Sequence, residues 1–225
     1  MTARTIAYLL PLMLALGGCS PQANLLMAAL PEGTASALLG HMQRVEDSNR
    51  RKIVELEQRQ DWQGLIRFSA ENVKRDPYTP DWWLVSGYAY TQLDDHARAA
   101  ESYAEAVRLE PDVTLGWSLL AQSYRAAGQP RRAALVLDNA LLARRDDPQL
   151  YFLLGETESD LRRWSLAAQA YREAVRLDES FVPAWYGLAR AYGELGRTDE
   201  AREAAHMLEK LNPALLEKLK RGAPQ

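Results

Sequence analysis

A chain of 225 residues with 47% hydrophobic and 25% charged side chains has ordinary globular composition. Its net charge of −3, with acids interspersed among short basic clusters such as Arg50-Arg51-Lys52 and Arg131-Arg132, leaves no electrostatic case for a nucleic-acid ligand. The single cysteine, Cys19, excludes an internal disulfide and any cysteine-rich metal site.

The first element in the chain is an address. The amino terminus and Arg4 make a positive start, an apolar run extends from Ile6 to Leu16, and small residues come after it. A run of about 11 residues falls short of the ~20 that span a bilayer, so residues 1–18 are predicted to be a signal peptide. Leu16-Gly17-Gly18-Cys19 resembles a bacterial lipobox. That resemblance implies diacylation of the Cys19 thiol, cleavage just before it, and a mature chain attached to the membrane by its lipid. Ser20 after the cysteine, where Asp would retain the protein, implies export to the outer membrane of a diderm host. Several acyl chains on one residue anchor stably, whereas one chain is marginal. The expected location is the cell envelope, facing the periplasm.

Residues 19–35, with Pro21, Pro31 and Gly33, read as a tether. Residues 36–79 are predicted to hold an N-terminal helix and a degenerate helical pair. Leu38, Met42, Val45, Asn49, Ile53 and Leu56 recur every three or four residues, and Asp47-Ser48-Asn49, residues that prefer N-caps, interrupt the stripe and point to a break there. Two readings stay open for this stripe: a short coiled coil joining a homodimer, or a helix that packs on the first repeat and caps the array. Fewer than three clean heptads favour the cap. Pro77 lies 34 residues before Pro111, and Asp61-Trp62 falls where a turn between two helices belongs.

From residue 80 to 213 the chain repeats. Trp83, Trp117, Tyr151 and Trp185 stand 34 residues apart, and Ala99, Ala133, Ala167 and Ala201 come sixteen residues after each of them. A fixed period of this size means stacked supersecondary units. The small pairs Gly87/Ala99, Ala121/Ala133, Gly155/Ala167 and Ala189/Ala201 would let two helices approach closely, and the neighbouring aromatics, Trp83, Trp117 and Trp185 among them, are expected in the core. Gly128 and Gly196 lie where a first helix must end, and Pro111 and Pro213 stop second helices. Residues 214–225, with Leu215, Leu216 and Leu219 against Glu217, Lys218 and Lys220, read as a capping helix and tail.

The run Trp83-x2-Ser86-Gly87-x2-Tyr90, then Ala99-x3-Tyr103, Ala106 and Pro111, resembles the tetratricopeptide repeat, with Ser86 where leucine is expected. Trp117, Leu120, Ala121, Tyr124 and Ala133 fill the same places in the second unit; Tyr151, Leu154, Gly155, Ala167 and Tyr171 in the third, where Glu158 departs from the aromatic; and Trp185, Leu188, Ala189, Tyr192 and Ala201 in the fourth. The resemblance implies an all-α fold, a right-handed solenoid of four clear repeats and one degenerate one. It also implies a concave groove for a peptide segment. At 100° per residue, the face opposite the repeat positions carries Tyr88, Gln92, Gln122, Arg125, Phe152, Glu156, Asp160, Tyr186 and Arg190. Aromatics with arginine are the usual material of binding hot spots.

Nothing in the chain marks an enzyme. There is no phosphate loop, HExxH, GxSxG or EF-hand pattern, and His41, His96 and His206 lie far from one another and from any cysteine. No metal or cofactor is expected. The functional expectation is an interaction scaffold, anchored in the membrane, whose partners are other envelope proteins or peptide segments. Lipoproteins similar to this one act in assembling pili or secretins, the first choice here, in inserting outer-membrane proteins, or in docking cell-wall hydrolases and proteases. A peptidoglycan-binding module and a self-assembling structural lipoprotein are the alternatives.

Overall fold

The computed structural model describes residues 45–222 and the isolated Gly40, with side chains as far as Glu217. The stretch expected to be a signal peptide, Cys19, the stretch expected to be a tether, and Leu38 and Met42 of the apolar stripe lie outside the described residues. Among the described residues the architecture is eleven helices and no strand. In chain order these are α1 (Asp47–Gln58), α2 (Trp62–Arg75), α3 (Pro80–Gln92), α4 (His96–Leu109), α5 (Thr114–Ala126), α6 (Pro130–Ala143), α7 (Pro148–Asp160), α8 (Trp164–Leu177), α9 (Val182–Glu194), α10 (Thr198–Leu211) and α11 (Pro213–Gly222). Each packs on the next, so the chain is a right-handed solenoid of antiparallel helix pairs. Helix α7 also packs against α5 and α9, the first helices of the adjoining pairs, whereas no second helix makes a comparable contact with the next. The first-helix layer is therefore the inside of the curve.

Local chemistry sets the period. The residues that close the first helix of each pair, Gln60, Asp94, Gly128, Arg162 and Gly196, all have positive φ, from 54° to 71°. They recur every 34 residues, so α1 and α2 share the phase of the clear repeats. A left-handed residue here reverses the chain within one turn, and glycine does so without a Cβ penalty. Asp61 and Asp95 then cap α2 and α4, accepting from the backbone N–H of Gly64 at 2.7 Å and of Arg98 at 3.1 Å. Pro80, Pro130, Pro148 and Pro183 occupy the first two positions of α3, α6, α7 and α9, where a missing N–H costs nothing.

The packing inside a pair depends on a small residue facing a large one. Tyr103 and Tyr171 are among the largest fully buried side chains. A Cβ on Gly87 would lie 2.5 Å from the Tyr103 ring, and one on Gly155 would lie 2.6 Å from that of Tyr171. Tyr171 is also closed in from the next repeat, because a Cβ on Gly187 would lie 2.4 Å from it. Where the second repeat has Ala121, the facing register position is Leu137, smaller than tyrosine and also fully buried. Ala99, Ala133 and Ala167 are completely buried as expected, and Ala201, nearer the open end, is half-buried.

The tryptophan ladder packs against the core, as its spacing suggests, but at the edge rather than inside it. Trp83, Trp117, Tyr151 and Trp185 are half-buried. The indole N–H groups of Trp117 and Trp185 donate to the carbonyl oxygens of Pro111 and Glu179 at 2.7 and 2.8 Å, and Trp83 reaches that of Pro77 at 3.4 Å. An indole needs a partner for its one donor, and the turn six residues earlier supplies it. The ladder thus pins the turns between repeats, while the tyrosines on the second helices fill the core. Glu158 keeps its place by charge: Arg163 lies 3.4 Å away, whereas the guanidinium groups of Arg98, Arg132 and Arg197 lie over the rings of Tyr90, Tyr124 and Tyr192.

At the ends, Val45, Ile53 and Leu56 are buried in the core with α3, so those members of the stripe cap the stack from within one chain. Leu216 of α11 closes the other end.

The turns provide a stability test by chemical denaturation. Arg162→Gly is expected to stabilise the fold by about 1 kcal/mol, since a non-glycine left-handed residue carries a penalty of that order. Gly128→Val at the same register is expected to destabilise it by at least as much. In the core, Gly187→Ala is expected to cost about 1–3 kcal/mol by crowding Tyr171.

Candidate functional site on the inner face

Helices α5, α7 and α9 bring one cluster together. Glu156 and Asp160 are one turn apart on α7, on the same side. Arg125, from the last turn of α5, donates from Nε to Asp160 Oδ2 at 2.6 Å and from Nη2 to Glu156 Oε2 at 3.5 Å. The Tyr171 hydroxyl donates to the other oxygen of Glu156, and Ser159 lies 3.2 Å from that hydroxyl. Arg190, one turn beyond Tyr186 on α9, places Nη2 3.9 Å from Glu156 Oε1, with its guanidinium 6.0 Å from the centre of the Trp164 ring. An ionic chain therefore links three consecutive repeats along the inside of the curve.

The two arginines differ in how far they are committed. The Arg125 side chain is only 6% exposed and holds two carboxylates. Burial opposes its charge, but Asp160 and then Glu156 outweigh it and hold its pKa above the usual arginine value. Arg190 is 27% exposed, makes an ion pair too long for a hydrogen bond, and has no hydrogen-bond partner on its buried Nε. Tyr171 is pushed well above the ordinary phenol range, chiefly by burial and further by the Glu156 charge, so it remains a donor. Gln122, Gln92 and Tyr186 are half-exposed on the same layer.

Two expected groove residues belong to the core instead. Tyr88 is buried, its ring edge-on to Trp62 at 5.9 Å and its hydroxyl donating to Glu57 at 2.6 Å. Phe152 is buried between Tyr171 and Phe181, with centroids 6.0 and 5.3 Å away. A helical wheel puts both on the free face because it neglects the packing of each first helix against the neighbouring pair, which covers part of that face. Arg125, Glu156 and Asp160 also differ from the expectation, since they pair with one another rather than standing open, with Nη1 of Arg125 the one buried nitrogen of that group left unbonded. The sequence carried a signal for this: opposite charges separated by 31, 34 and 35 residues, close to one repeat, fall side by side on successive first helices. The Tyr171 hydroxyl gave no such signal, because its ring is a repeat position.

Among the described residues no group of three His, Cys, Asp or Glu could hold a metal ion, and no helix is long and apolar enough to cross a membrane.

Denaturant unfolding separates the two arginines. Arg125→Met leaves Asp160 and Glu156 without their shared cation and is expected to cost about 2–3 kcal/mol, below the full penalty for breaking a buried pair because both acids keep some solvent. Arg190→Ala is expected to cost less than about 1 kcal/mol. Equal losses would contradict this division of roles.

Comparison with known proteins agrees with the geometry. Three tetratricopeptide repeat models match residues 82–113, 118–180 and 160–220. Protein bimA of Emericella nidulans is 22% identical over 150 residues, which are 67% of this chain and 14% of that protein, so the chain spans about a seventh of its relative. The crystal structure of MamA superposes with a TM-score of 0.65 at 20% identity, covering 79% of this chain and 98% of that one. YrrB, described as a TPR protein with an unusual peptide-binding site, superposes with a TM-score of 0.62 at 14% identity, covering 84% of this chain and 98% of that one. At these identities the structural likeness is one of fold. Arrays of this repeat are scaffolds for protein–protein interaction and are generally non-catalytic. The chain belongs to the tetratricopeptide repeat family.

Proposed function

We propose that this protein is a lipid-anchored scaffold of the bacterial envelope that holds a peptide segment of a partner on the inner face of α5, α7 and α9. The observation that carries the binding site is Arg190: a partly exposed guanidinium with no hydrogen bond, between the half-exposed Tyr186 and Glu156. The rest of the ionic chain is already paired, so it stiffens the surface on which a segment would lie. A rigid surface lowers the ordering cost of binding. YrrB, with its peptide-binding site on a similar fold, supports this use of the array. Anchoring rests on Leu16-Gly17-Gly18-Cys19. Attachment through Cys19 would confine the scaffold to a thin layer at the outer membrane and raise its effective concentration toward other membrane components. Assembly of pili or secretins is the process we assign to it first, on the resemblance to lipoproteins of this design.

A photo-crosslinking residue placed at Gln122 or Tyr186 in intact cells is expected to capture a small set of envelope proteins. Arg190→Ala should lower that capture about tenfold, the effect of losing a modest hot spot. Undiminished capture in the variant would remove the inner face from the mechanism. Separately, Cys19→Ala is expected to abolish palmitate labelling and partition into detergent, and retention of both would remove the anchor.

A further inference from the structure

On the outer face the repeat pattern breaks at one helix. At the register of Leu135 the other second helices hold Arg67, Glu101, Gln169 and Glu203. At that of Leu142 they hold Lys74, Arg108, Arg176 and Lys210. All of these are polar and exposed. Leu135 and Leu142 are 62% and 70% exposed, so α6 presents leucine to solvent where every other second helix presents a polar group. Seven residues apart, the two lie on one side of α6 with about 10 Å between them. Packing does not require them, because Ala133, Leu137 and Ala140 fill the core from the same helix.

Both ends of this row are cationic. Arg131 stands one turn before Leu135 and Arg145 three residues after Leu142; both are exposed, and neither has an ion pair among the described residues. Beside them, Arg132 donates to Gln129 at 2.8 Å and Arg144 to the Asp112 carbonyl at 3.2 Å. Four arginines thus stand against two acids, Asp138 between the leucines and Asp146 beyond them. Shape decides which partner such a row fits. The first helices line the inside of the curve, so the second helices form its convex side, and α6 is the middle one of the five described. A flat body meets a convex one along its crest, and the crest here is α6. Leucines on a crest, with arginines at both ends, are the composition of an interfacial helix. Its apolar side chains enter the acyl boundary while its long cationic ones reach the phosphates.

We propose that α6 rests on the surface of a bilayer that contains anionic phospholipid. The proposal rests on the anchored-scaffold reading for the nearness of a membrane, but the contact uses no residue of the lipobox or of the inner face. Two leucines and a few arginines make a weak contact, so α6 orients a chain already held at the membrane instead of recruiting it. With the convex side on the lipid, the inner face that carries Arg190 opens away from it, toward a partner. Asp138 is the one acid within the row and opposes the contact.

The test uses the full chain carrying Cys19→Ser, so that an introduced cysteine is the only thiol. A polarity-sensitive fluorophore is attached at Leu142→Cys or, at the same register on α8, at Arg176→Cys. Vesicles of phosphatidylglycerol and phosphatidylethanolamine are then added at millimolar lipid. The fluorophore at 142 is expected to brighten and to be quenched by lipids brominated near the top of their acyl chains, and the one at 176 to do neither. Both chains share residues 1–44, so a difference between the two positions reports α6 alone. Arg145→Gln should lower the lipid affinity read at 142 about fivefold, and Asp138→Asn should raise it by about the same factor. Leu135→Glu, which gives α6 the residue that α4 and α10 carry at this register, should abolish the signal with the melting temperature unchanged. Equal signals at 142 and 176, a signal that survives Leu135→Glu, or one as strong on phosphatidylcholine alone overturns the proposal. So does a fluorophore at 142 that responds to an envelope protein and not to vesicles. Because the chain tested has no thiol at 19, loss of the anchor and loss of this contact are read separately. Arg190→Ala is expected to leave the signal unchanged, which separates it from peptide binding on the inner face.

Discussion

The close approach of two helices across a residue with little or no side chain is the constraint on which the rest of this structure depends. At Gly87 and Gly155 even a methyl group would penetrate the ring of a buried tyrosine, and Gly187 presses on the second of these rings from the next repeat. Such a contact tolerates neither insertion nor rotation, because either would drive backbone into an aromatic ring or open a cavity beside it. Each helix pair is therefore placed in one orientation on its predecessor. The 34-residue phase of the left-handed turn residues, from Gln60 to Gly196, is the visible consequence.

A constant phase turns sequence spacing into spatial adjacency. Residues one repeat apart become neighbours on successive first helices, and so Arg125, Glu156, Asp160 and Arg190 meet although they come from three separate helices. The chain of charges has unequal links. Arg125 is buried and bonded to two carboxylates, with only its Nη1 left over, while Arg190 makes no hydrogen bond at all among the described residues. That inequality allows one cluster to serve both as a brace along the inner face and as a point of recognition. A fully satisfied network offers little to a ligand, and an entirely open one would not hold its geometry. Leu135 and Leu142 lie where the packing rule does not reach. Exposed on the outer face, they leave the phase untouched, so surface variation is carried by positions that the rule leaves free.

The repeat, the solenoid and the turn positions were legible in the sequence because they depend on periodicity and residue size. Gly128 and Gly196 were placed at helix ends and have the expected left-handed backbone, but Gln60, Asp94 and Arg162 adopt it too, with no glycine to announce it. Tertiary packing forces those three turns against local preference. Trp83, Trp117 and Trp185 were expected in the core because they are large and regular. They do pack against it, yet stay half-buried, because an indole must place its N–H on an acceptor and the inter-repeat turn provides one. Tyr88 and Phe152 were assigned to a free face because a helical wheel treats a helix as having one neighbour. Here a first helix touches its own partner and also a neighbouring pair, as α3 does with α2 and α7 does with both α5 and α9, so part of the face that the wheel leaves free is covered.

The sequence by itself determined the architecture and its phase, since a small residue facing a large one every 34 positions admits few arrangements. It also carried the lipobox-like Leu16-Gly17-Gly18-Cys19, which depends on local order alone. Only the tertiary structure decided which polar residues of the inner face are hydrogen-bonded to one another and which are not. That outcome depends on distances of 2.6 Å against 3.9 Å between side chains on different helices. Differences of that size come from how the helices settle against each other, which no spacing along one chain can express.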